Sequence, residues 1–112
     1  MKPMYVANSG IHGMGAFASA PLKAGEVVCK VEGVERHYTG MTPEELALSF
    51  ESKPDYYILP DAPVRYMNHS DSPNCRVGGL TIRAARDISQ GEELTIDYRE
   101  TTTWKDYKLP WS

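Results

Sequence analysis

The chain has 112 residues, of which 41% are hydrophobic and 24% charged, and its formal net charge is −3. This length supports one domain with a modest core, and the composition excludes a disordered tail. The acidic balance disfavours direct nucleic-acid binding and suits a basic partner. No apolar run approaches the roughly 18 residues of a membrane span, and the N-terminus lacks the apolar stretch of a secretory signal, so we expect an intracellular protein.

The first third of the chain is predicted to form turns and short strands. Residues 10–15 indicate a flexible turn because three of the six are glycine. A short strand is expected at 16–18, followed by a turn at 21–25 that contains Pro and Gly. Residues 26–35 include four valines, which favours a strand.

One helix is predicted, and it begins at Pro43. Thr42 can cap this helix, Pro43 occupies its first position, and Glu45 completes a capping box. We expect the helix to extend to about residue 51, with Leu46 and Phe50 one turn apart on its inward face.

The second half is predicted to contain mainly strands. One strand is expected at 56–59, between two prolines. Residues 76–77 and 80–82 flank Gly78-Gly79, a pattern typical of a two-residue hairpin turn. A further strand is expected at 94–98, with alternate side chains on one face. The predicted fold is therefore mostly β, with many short strands and one small helix.

Two segments could contact a ligand through amide groups. The glycines of Gly13-Met14-Gly15 would let the backbone approach a ligand closely, although a turn needs glycine equally often. Asn68 and His69 precede a loop broken by proline, and their side chains could bind the edge of a purine-like ring or a carboxylate. Alternatively, Asn68 holds a turn and His69 is satisfied by backbone groups.

The tyrosines indicate a second kind of site. The chain has seven tyrosines and two phenylalanines, and a set of phenol rings can enclose a cationic ammonium group. Tyr98 could orient a nucleophile, act as a general acid or base, or pack in the core. Further candidates for the enclosure are Tyr38, Tyr56, Tyr57 and Tyr66.

No metal site is predicted. The three histidines, His12, His37 and His69, lack the spacing of metal ligands, and Cys29 and Cys75 form no Cys-x-x-Cys pair. We expect both cysteines to be thiols.

Three segments, in this order, resemble the SET domain of protein lysine methyltransferases. HGMGAFA at 12–18 resembles the family's opening G-x-G segment, and RYMNHS at 65–70 with Pro73-Asn74 resembles its R-F-x-N-H-S-C-x-P-N signature. GEELTIDY at 91–98 resembles its G-E-E-L-T-x-D-Y signature. The resemblance covers roughly residues 5–98 of a single SET domain, and the minimal form looks like that of small viral and bacterial SET proteins.

This resemblance implies a β-clip fold of small curved sheets, in which the Asn68-His69 segment passes through a loop as a C-terminal pseudoknot. It also implies a protein-lysine N-methyltransferase that uses S-adenosylmethionine, with Tyr98 as the catalytic residue and no metal. The implied cofactor contacts are Gly13, Met14, Gly15, Tyr66, Asn68, His69 and Trp104. The implied lysine channel is lined by Tyr56, Tyr57, Tyr66 and Tyr98. The substrate would be a basic protein or peptide such as a histone tail.

The sequence departs from the family pattern at two places. Asp71 replaces the signature cysteine, and no Cys-x-Cys cluster follows Tyr98, so the zinc-binding element of many relatives is not expected. We predict that the segment 99–112 forms an aromatic lid over the cofactor through Trp104, Tyr107 and Trp111. The region 36–55 is short. A homodimer could therefore complete the substrate groove.

Two other functions are compatible with the sequence. One is a SET-like binding module that is catalytically weak, and the other is a purely structural β-clip domain. Cofactor affinity separates the structural domain from the other two, and turnover separates the enzyme from the binding module.

Overall fold

The computed structural model describes residues 4–102, which form ten strands, one α-helix and three short 3-10 turns. The strands are β1 Met4–Asn8, β2 Met14–Ala18, β3 Val27–Lys30, β4 Gly33–His37, β5 Phe50–Lys53, β6 Tyr56–Pro60, β7 Asn68–His69, β8 Cys75–Gly78, β9 Thr81–Ala84 and β10 Glu93–Ile96. Helix α1 is Pro43–Ala47, and the 3-10 turns are Tyr38–Gly40, Val64–Tyr66 and Tyr98–Thr101. The prediction of a mostly β fold with one short helix is confirmed.

The strands form three small sheets. The largest has the order β1-β2-β10-β7, in which β7 runs parallel to β10 and the other pairs are antiparallel. The other two sheets have the orders β3-β9-β8 and β4-β6-β5. The pairing of β7 with β10 brings two distant segments together. The threading of a pseudoknot stays a prediction.

The core lies between the sheets and is built mainly from aliphatic side chains. Among its fully buried members are Met67, Ile82, Leu94 and Ile96. Leu94 and Ile96 were expected on one buried face of a strand, and they are buried as expected. Thr95 between them is buried as well, and its hydroxyl oxygen accepts a hydrogen bond from Asn74 N at 3.2 Å.

Helix α1 begins as predicted and ends earlier than predicted. Thr42 Oγ1 accepts a hydrogen bond from Glu45 N at 3.1 Å, and Glu45 Oε1 accepts one from Thr42 N at 2.9 Å, so the capping box is confirmed. The helix ends at Ala47, and Phe50 begins strand β5. The expected helical face of Leu46 and Phe50 is therefore wrong, since Phe50 pairs with Ile58 across β5 and β6.

The valine-rich segment 26–35 is divided between two sheets instead of forming one strand. Its first part is β3, and its second part, β4, begins at Gly33. A Cβ atom at Gly33 would overlap the carbonyl group of Leu59, so only glycine permits the close approach of β4 to β6 here.

The predicted hairpin forms, but its turn is shifted by one residue. Gly78 pairs with Thr81, so the two turn residues are Gly79 and Leu80. Gly79 has a φ of 61°, which accounts for a glycine at this position. Strand β10 likewise ends before its predicted limit, at Ile96, and a 3-10 turn begins at Tyr98.

The residues of the predicted aromatic lid, Trp104, Tyr107 and Trp111, lie outside the described residues.

Candidate active site

The three motif segments meet in the sheet β1-β2-β10-β7. Strand β10 lies between β2, which follows the glycine-rich loop, and β7, which consists of Asn68 and His69. Thr95 is opposite Asn68, and Ile96 is opposite His69. Segments that are far apart in the sequence thus lie side by side in one sheet.

The side chain of Asn68 is held in one orientation by a group of acceptors. Only 8% of this residue is exposed. Its Nδ2 atom lies within hydrogen-bond distance of Glu93 Oε2 (2.9 Å), Ser9 Oγ (3.1 Å), His12 O (3.1 Å) and Met14 O (3.2 Å). An amide nitrogen has two hydrogens, so acceptors are in excess. Turning the amide over would place Oδ1 among these oxygens.

The oxygen of the same amide, Oδ1, differs from Nδ2 in its hydrogen bonding. Within residues 4–102, no donor makes a hydrogen bond to Asn68 Oδ1. Leaving a buried acceptor unsatisfied costs about 1–3 kcal/mol. A ligand that brings a hydrogen-bond donor would remove this cost, so the residues here fit a cofactor with donor groups.

The loop before β2 is fixed by Ser9 and Glu93. The Ser9 hydroxyl lies 2.8 and 2.9 Å from the two carboxylate oxygens of Glu93, and its oxygen accepts from Ile11 N at 2.8 Å. A Cβ atom at Gly15 would overlap Glu93 Oε2. Gly13 has a φ of 47°. The two glycines of the G-x-G segment therefore have separate roles: Gly13 permits the turn, and Gly15 leaves room for the carboxylate.

His69 occupies a defined tautomer beside the end of β10. Its Nδ1 atom accepts a hydrogen bond from the backbone N–H of Tyr98 at 3.1 Å, so the ring proton is on Nε2. The Nε2 atom lies 2.9 Å from Asp71 Oδ1 and donates to it. Sequence reasoning allowed a histidine satisfied by backbone groups, and one side of the ring is satisfied in that way.

Asp71, which replaces the signature cysteine, joins the motif loop to the residues after Tyr98. Its Oδ1 atom accepts from Arg99 Nη2 at 3.1 Å as well as from His69. Arg99 also forms two hydrogen bonds of 2.9 Å to the carboxylate of Asp97. The Arg99 guanidinium holds the pKa of Asp97 below its usual value.

Tyr98 is buried next to a small cavity. It is 5% exposed, its hydroxyl donates to Met67 O at 2.5 Å, and its ring stands edge-on to His69 at 5.4 Å. The cavity has a volume of about 10 Å³, which is roughly the space of one water molecule. Its lining is mostly apolar and consists of Ala47, Leu48, Phe50, Val64, Arg65, Met67, Ile96, Tyr98 and Thr101.

The other tyrosines expected in a channel do not line this cavity. Tyr57 is buried in β6, with its hydroxyl 2.8 Å from Thr102 Oγ1. Tyr56 is 37% exposed and packs edge-on against His37. Tyr66 is half-buried in a 3-10 turn, with the Arg65 guanidinium 5.2 Å from its ring centre. Their roles in a channel stay predictions.

Sequence reasoning assigned no role to three residues of this region, Ser9, Glu93 and Asn74, although Glu93 and Asn74 lie within the motif segments. The Asn74 side chain accepts from Thr95 N at 2.9 Å and donates to Glu93 O at 2.7 Å, and so pairs with β10 as a strand would. Glu93 could have been noticed because it directly precedes the predicted strand at 94–98, and a carboxylate that becomes partly buried there needs a partner. No signal in the sequence indicates Ser9.

Residues 4–102 contain no cluster of three or more side chains suited to a metal ion, and none of their helices is both long and apolar enough to cross a membrane. Both cysteines are thiols, as expected. Burial raises the pKa of the Cys75 thiol to about 12.

Known proteins resemble this chain in sequence. A comparison with protein families matches the SET domain over residues 13–99. The histone-lysine N-methyltransferase, H3 lysine-4 specific, of Emericella nidulans is 31% identical over 130 residues, covering 97% of this chain and 11% of the relative. Histone-lysine N-methyltransferase 2B of Homo sapiens is 32% identical, covering 94% of this chain and 5% of the relative. The chain thus spans about a tenth or less of the length of these two relatives.

Solved structures resemble it in fold. The crystal structure of a candidate histone methyltransferase from Plasmodium falciparum matches with a TM-score of 0.76 and 24% identity, covering 94% of this chain and 99% of that one. The Neurospora SET domain protein DIM-5, a histone lysine methyltransferase, matches with a TM-score of 0.70 and 23% identity, covering 88% and 52%. The family match includes all three motif segments except His12, and the chain therefore belongs to the SET domain family.

Proposed function

We propose that this chain is a protein-lysine N-methyltransferase that uses S-adenosylmethionine. The observation that carries the proposal is the placement of two buried groups at neighbouring strands. The acceptor Asn68 Oδ1 lies in β7, and the phenol Tyr98 lies in the turn that follows the adjacent strand β10. Membership of the SET domain family supports it, as do the names of relatives that are histone-lysine N-methyltransferases.

The cofactor would be held by the G-x-G segment and strand β7. Bound S-adenosylmethionine would supply an electrophilic methyl group on a sulfonium. Its ammonium, hydroxyl and adenine amino groups are donors of the kind that Asn68 Oδ1 needs. Gly13, Met14, Gly15 and His69 lie next to Asn68 through the contacts described above. Contacts from Tyr66 and Trp104 are part of the proposal on the basis of family resemblance.

The lysine must be neutral to act as a nucleophile. An ordinary lysine has a pKa near 10.4, so at pH 7 its deprotonation costs about 4.6 kcal/mol. The mostly apolar lining of the cavity at Tyr98 would disfavour the charged form and reduce this cost. The bond to Met67 O fixes the direction of the Tyr98 hydroxyl, and a fixed phenol oxygen can hold an amine in line for displacement.

The substrate is proposed to be a basic protein or peptide, such as a histone tail. Exposed carboxylates lie around α1 and β6, at Glu44, Asp55 and Asp61, and would attract lysine and arginine side chains. Action inside the cell, in the nucleus where the target is a histone, belongs to the same proposal. A homodimer that completes the substrate groove stays a prediction.

A catalytically weak SET-like binding module is the second candidate, and the size of the cavity favours it. A volume of about 10 Å³ does not hold the side chain of a lysine. An enzyme would have to widen this space when the substrate enters.

The test begins with calorimetric titration of the chain with S-adenosylmethionine, because this needs no choice of substrate. We expect saturable one-to-one binding that Asn68→Ala weakens and Asn8→Ala, an exposed asparagine of the same sheet, does not. Transfer of labelled methyl groups to a mixture of core histones then separates the two candidates. Binding without transfer would leave the binding module, and a folded protein without binding would overturn both.

A further inference from the structure

Ser9, Glu93 and Asn68 form a hydrogen-bonded cluster that joins the loop before β2, strand β10 and strand β7. We propose that Glu93, supported by Ser9, is a positioning residue for the cofactor: it orients the amide of Asn68 so that Oδ1 accepts a hydrogen bond from the cofactor's ammonium group. This inference rests on the proposed function and assigns a role to two residues that would not themselves need to contact the cofactor.

The contacts of Nδ2 set the orientation of the Asn68 amide. The amide of Asn68 could rotate by half a turn with little change in shape, which would exchange Oδ1 and Nδ2. The Glu93 carboxylate opposes this rotation most strongly, because Nδ2 donates to its Oε2 atom at 2.9 Å, whereas Oδ1 in that position would meet a negative charge. The carbonyl oxygens of His12 and Met14 act in the same direction without a charge. Ser9 holds the carboxylate in place through contacts to both of its oxygens.

The Glu93 carboxylate also places a negative charge beside Asn68. Glu93 is half-buried, and within residues 4–102 no Lys, Arg or His forms an ion pair with it. A partly buried carboxylate without a counter-ion favours a nearby cation. An ammonium group is both a cation and a pure donor, so it suits Asn68 Oδ1 and the adjacent charge better than a hydroxyl or an adenine amino group.

The absence of a side chain at Gly15 gives the Glu93 carboxylate its space. Any side chain at Gly15 would displace the Glu93 carboxylate from the position in which it contacts Asn68, since a Cβ atom there would overlap Oε2. The contact between Glu93 and Asn68 therefore depends on a glycine at position 15.

The alternative is that the cluster only stabilises the loop at 9–13. In that case its loss would weaken the binding of every ligand of the site, whether or not the ligand has an ammonium group. S-adenosylhomocysteine and 5′-methylthioadenosine provide the comparison, because both contain the adenosine thioether and only the first has the amino-acid part.

The experiment is calorimetric titration of both ligands into the parent chain, Glu93→Ala, Glu93→Gln and the control Glu35→Ala. Glu35 also accepts a hydrogen bond from a serine, Ser52 Oγ at 2.7 Å, but in another sheet. For Glu93→Ala we expect the affinity for S-adenosylhomocysteine to fall at least about tenfold, as for a lost bond to a charged group, while the affinity for 5′-methylthioadenosine is unchanged. Glu93→Gln should recover part of the loss, because its Oε1 still accepts from Asn68. The control should equal the parent.

The outcomes separate this inference from the proposed function. A parent chain that binds neither ligand overturns both. A parent that binds S-adenosylhomocysteine with the same affinity as Glu93→Ala overturns the inference alone, as does an equal loss for the two ligands or a Gln variant as weak as the Ala variant. Should Glu93→Ala fail to fold, Ser9→Ala serves in its place, with a selective loss of S-adenosylhomocysteine affinity expected and no loss refuting the inference.

Discussion

Substitution of Tyr98 by Phe removes one hydroxyl and leaves the ring. We expect it to lower stability moderately and turnover strongly. The hydroxyl is buried and donates to Met67 O at 2.5 Å. Without it, the Met67 carbonyl loses a donor in a buried position, which costs about 1–3 kcal/mol. For a domain of this size, 1 kcal/mol corresponds to a fall in Tm of roughly 4–8 °C. We therefore expect a folded but less stable protein.

Turnover should fall much further than stability does. A general acid or base typically contributes a factor of about 10² to 10⁴ to a rate, and misplacing a reacting group by about 1 Å can cost about 10²-fold. We expect Tyr98→Phe to lower methyl transfer to core histones by at least about 100-fold, measured at a temperature where the variant is fully folded by circular dichroism. Binding of S-adenosylmethionine should be nearly unchanged.

Tyr5→Phe is the matched control, because Tyr5 is exposed and packs only its ring on Phe17 at 5.7 Å. It should leave both stability and turnover unchanged. A folded Tyr98→Phe protein with the turnover of the parent would refute the assignment of Tyr98 as the catalytic residue. Unchanged stability would refute the energetic argument from the bond to Met67.

Three further outcomes are expected. Gly15→Ala should weaken the binding of S-adenosylhomocysteine in a titration, because the new methyl group displaces Glu93; equal affinity would show that the carboxylate adjusts without loss. Asn74→Ala should lower the free energy of unfolding in urea by at least about 2 kcal/mol, since two buried backbone groups of β10 lose their partner; a change below about 0.5 kcal/mol, as at an ordinary surface site, would contradict this. The third outcome concerns thermal stability at low pH. The pKa of Asp97 is lower in the folded than in the unfolded chain, so its contribution is complete above about pH 4 and is lost as the pH falls through the folded value. Asp97→Asn should therefore show a shallower fall of Tm below pH 4 than the parent, and parallel curves would exclude the Arg99 pair as a source of acid sensitivity.

The elements that could be predicted from the sequence are those with local signals. The capping box of Thr42 and Glu45 fixes the start of α1 within four residues, and Gly79 marks a turn because of its positive φ. The end of α1 could not be read in this way. Phe50 has an apolar side chain that suits a helix face or a strand, and its pairing with Ile58 in β6 decides between them.

The candidate site was located through its motifs, but its internal contacts were not. Asn68 and His69 could be identified, whereas the partners of Asn68 could not, since Ser9 and Glu93 are separated from each other by 84 residues. No spacing rule connects positions so far apart. The 3-10 turn at Tyr98 did have a local signal, because Asp97 accepts a hydrogen bond from Arg99 N at 2.9 Å and so caps the turn.

The position of β10 has a consequence for how the protein folds. This strand is near the end of the described chain, yet it lies between β2 and β7. Among residues 4–102, it is the only strand that pairs with the edge of β2 opposite β1. Closing a loop of this length costs entropy before its contacts form, and such distant pairings make folding slow. Until residues 93–96 have left the ribosome, β2 exposes an unpaired edge. The ligand site is therefore complete only when β10 has paired. A bound ligand would slow the local unfolding of β10 more than the unfolding of the hairpins in the other two sheets.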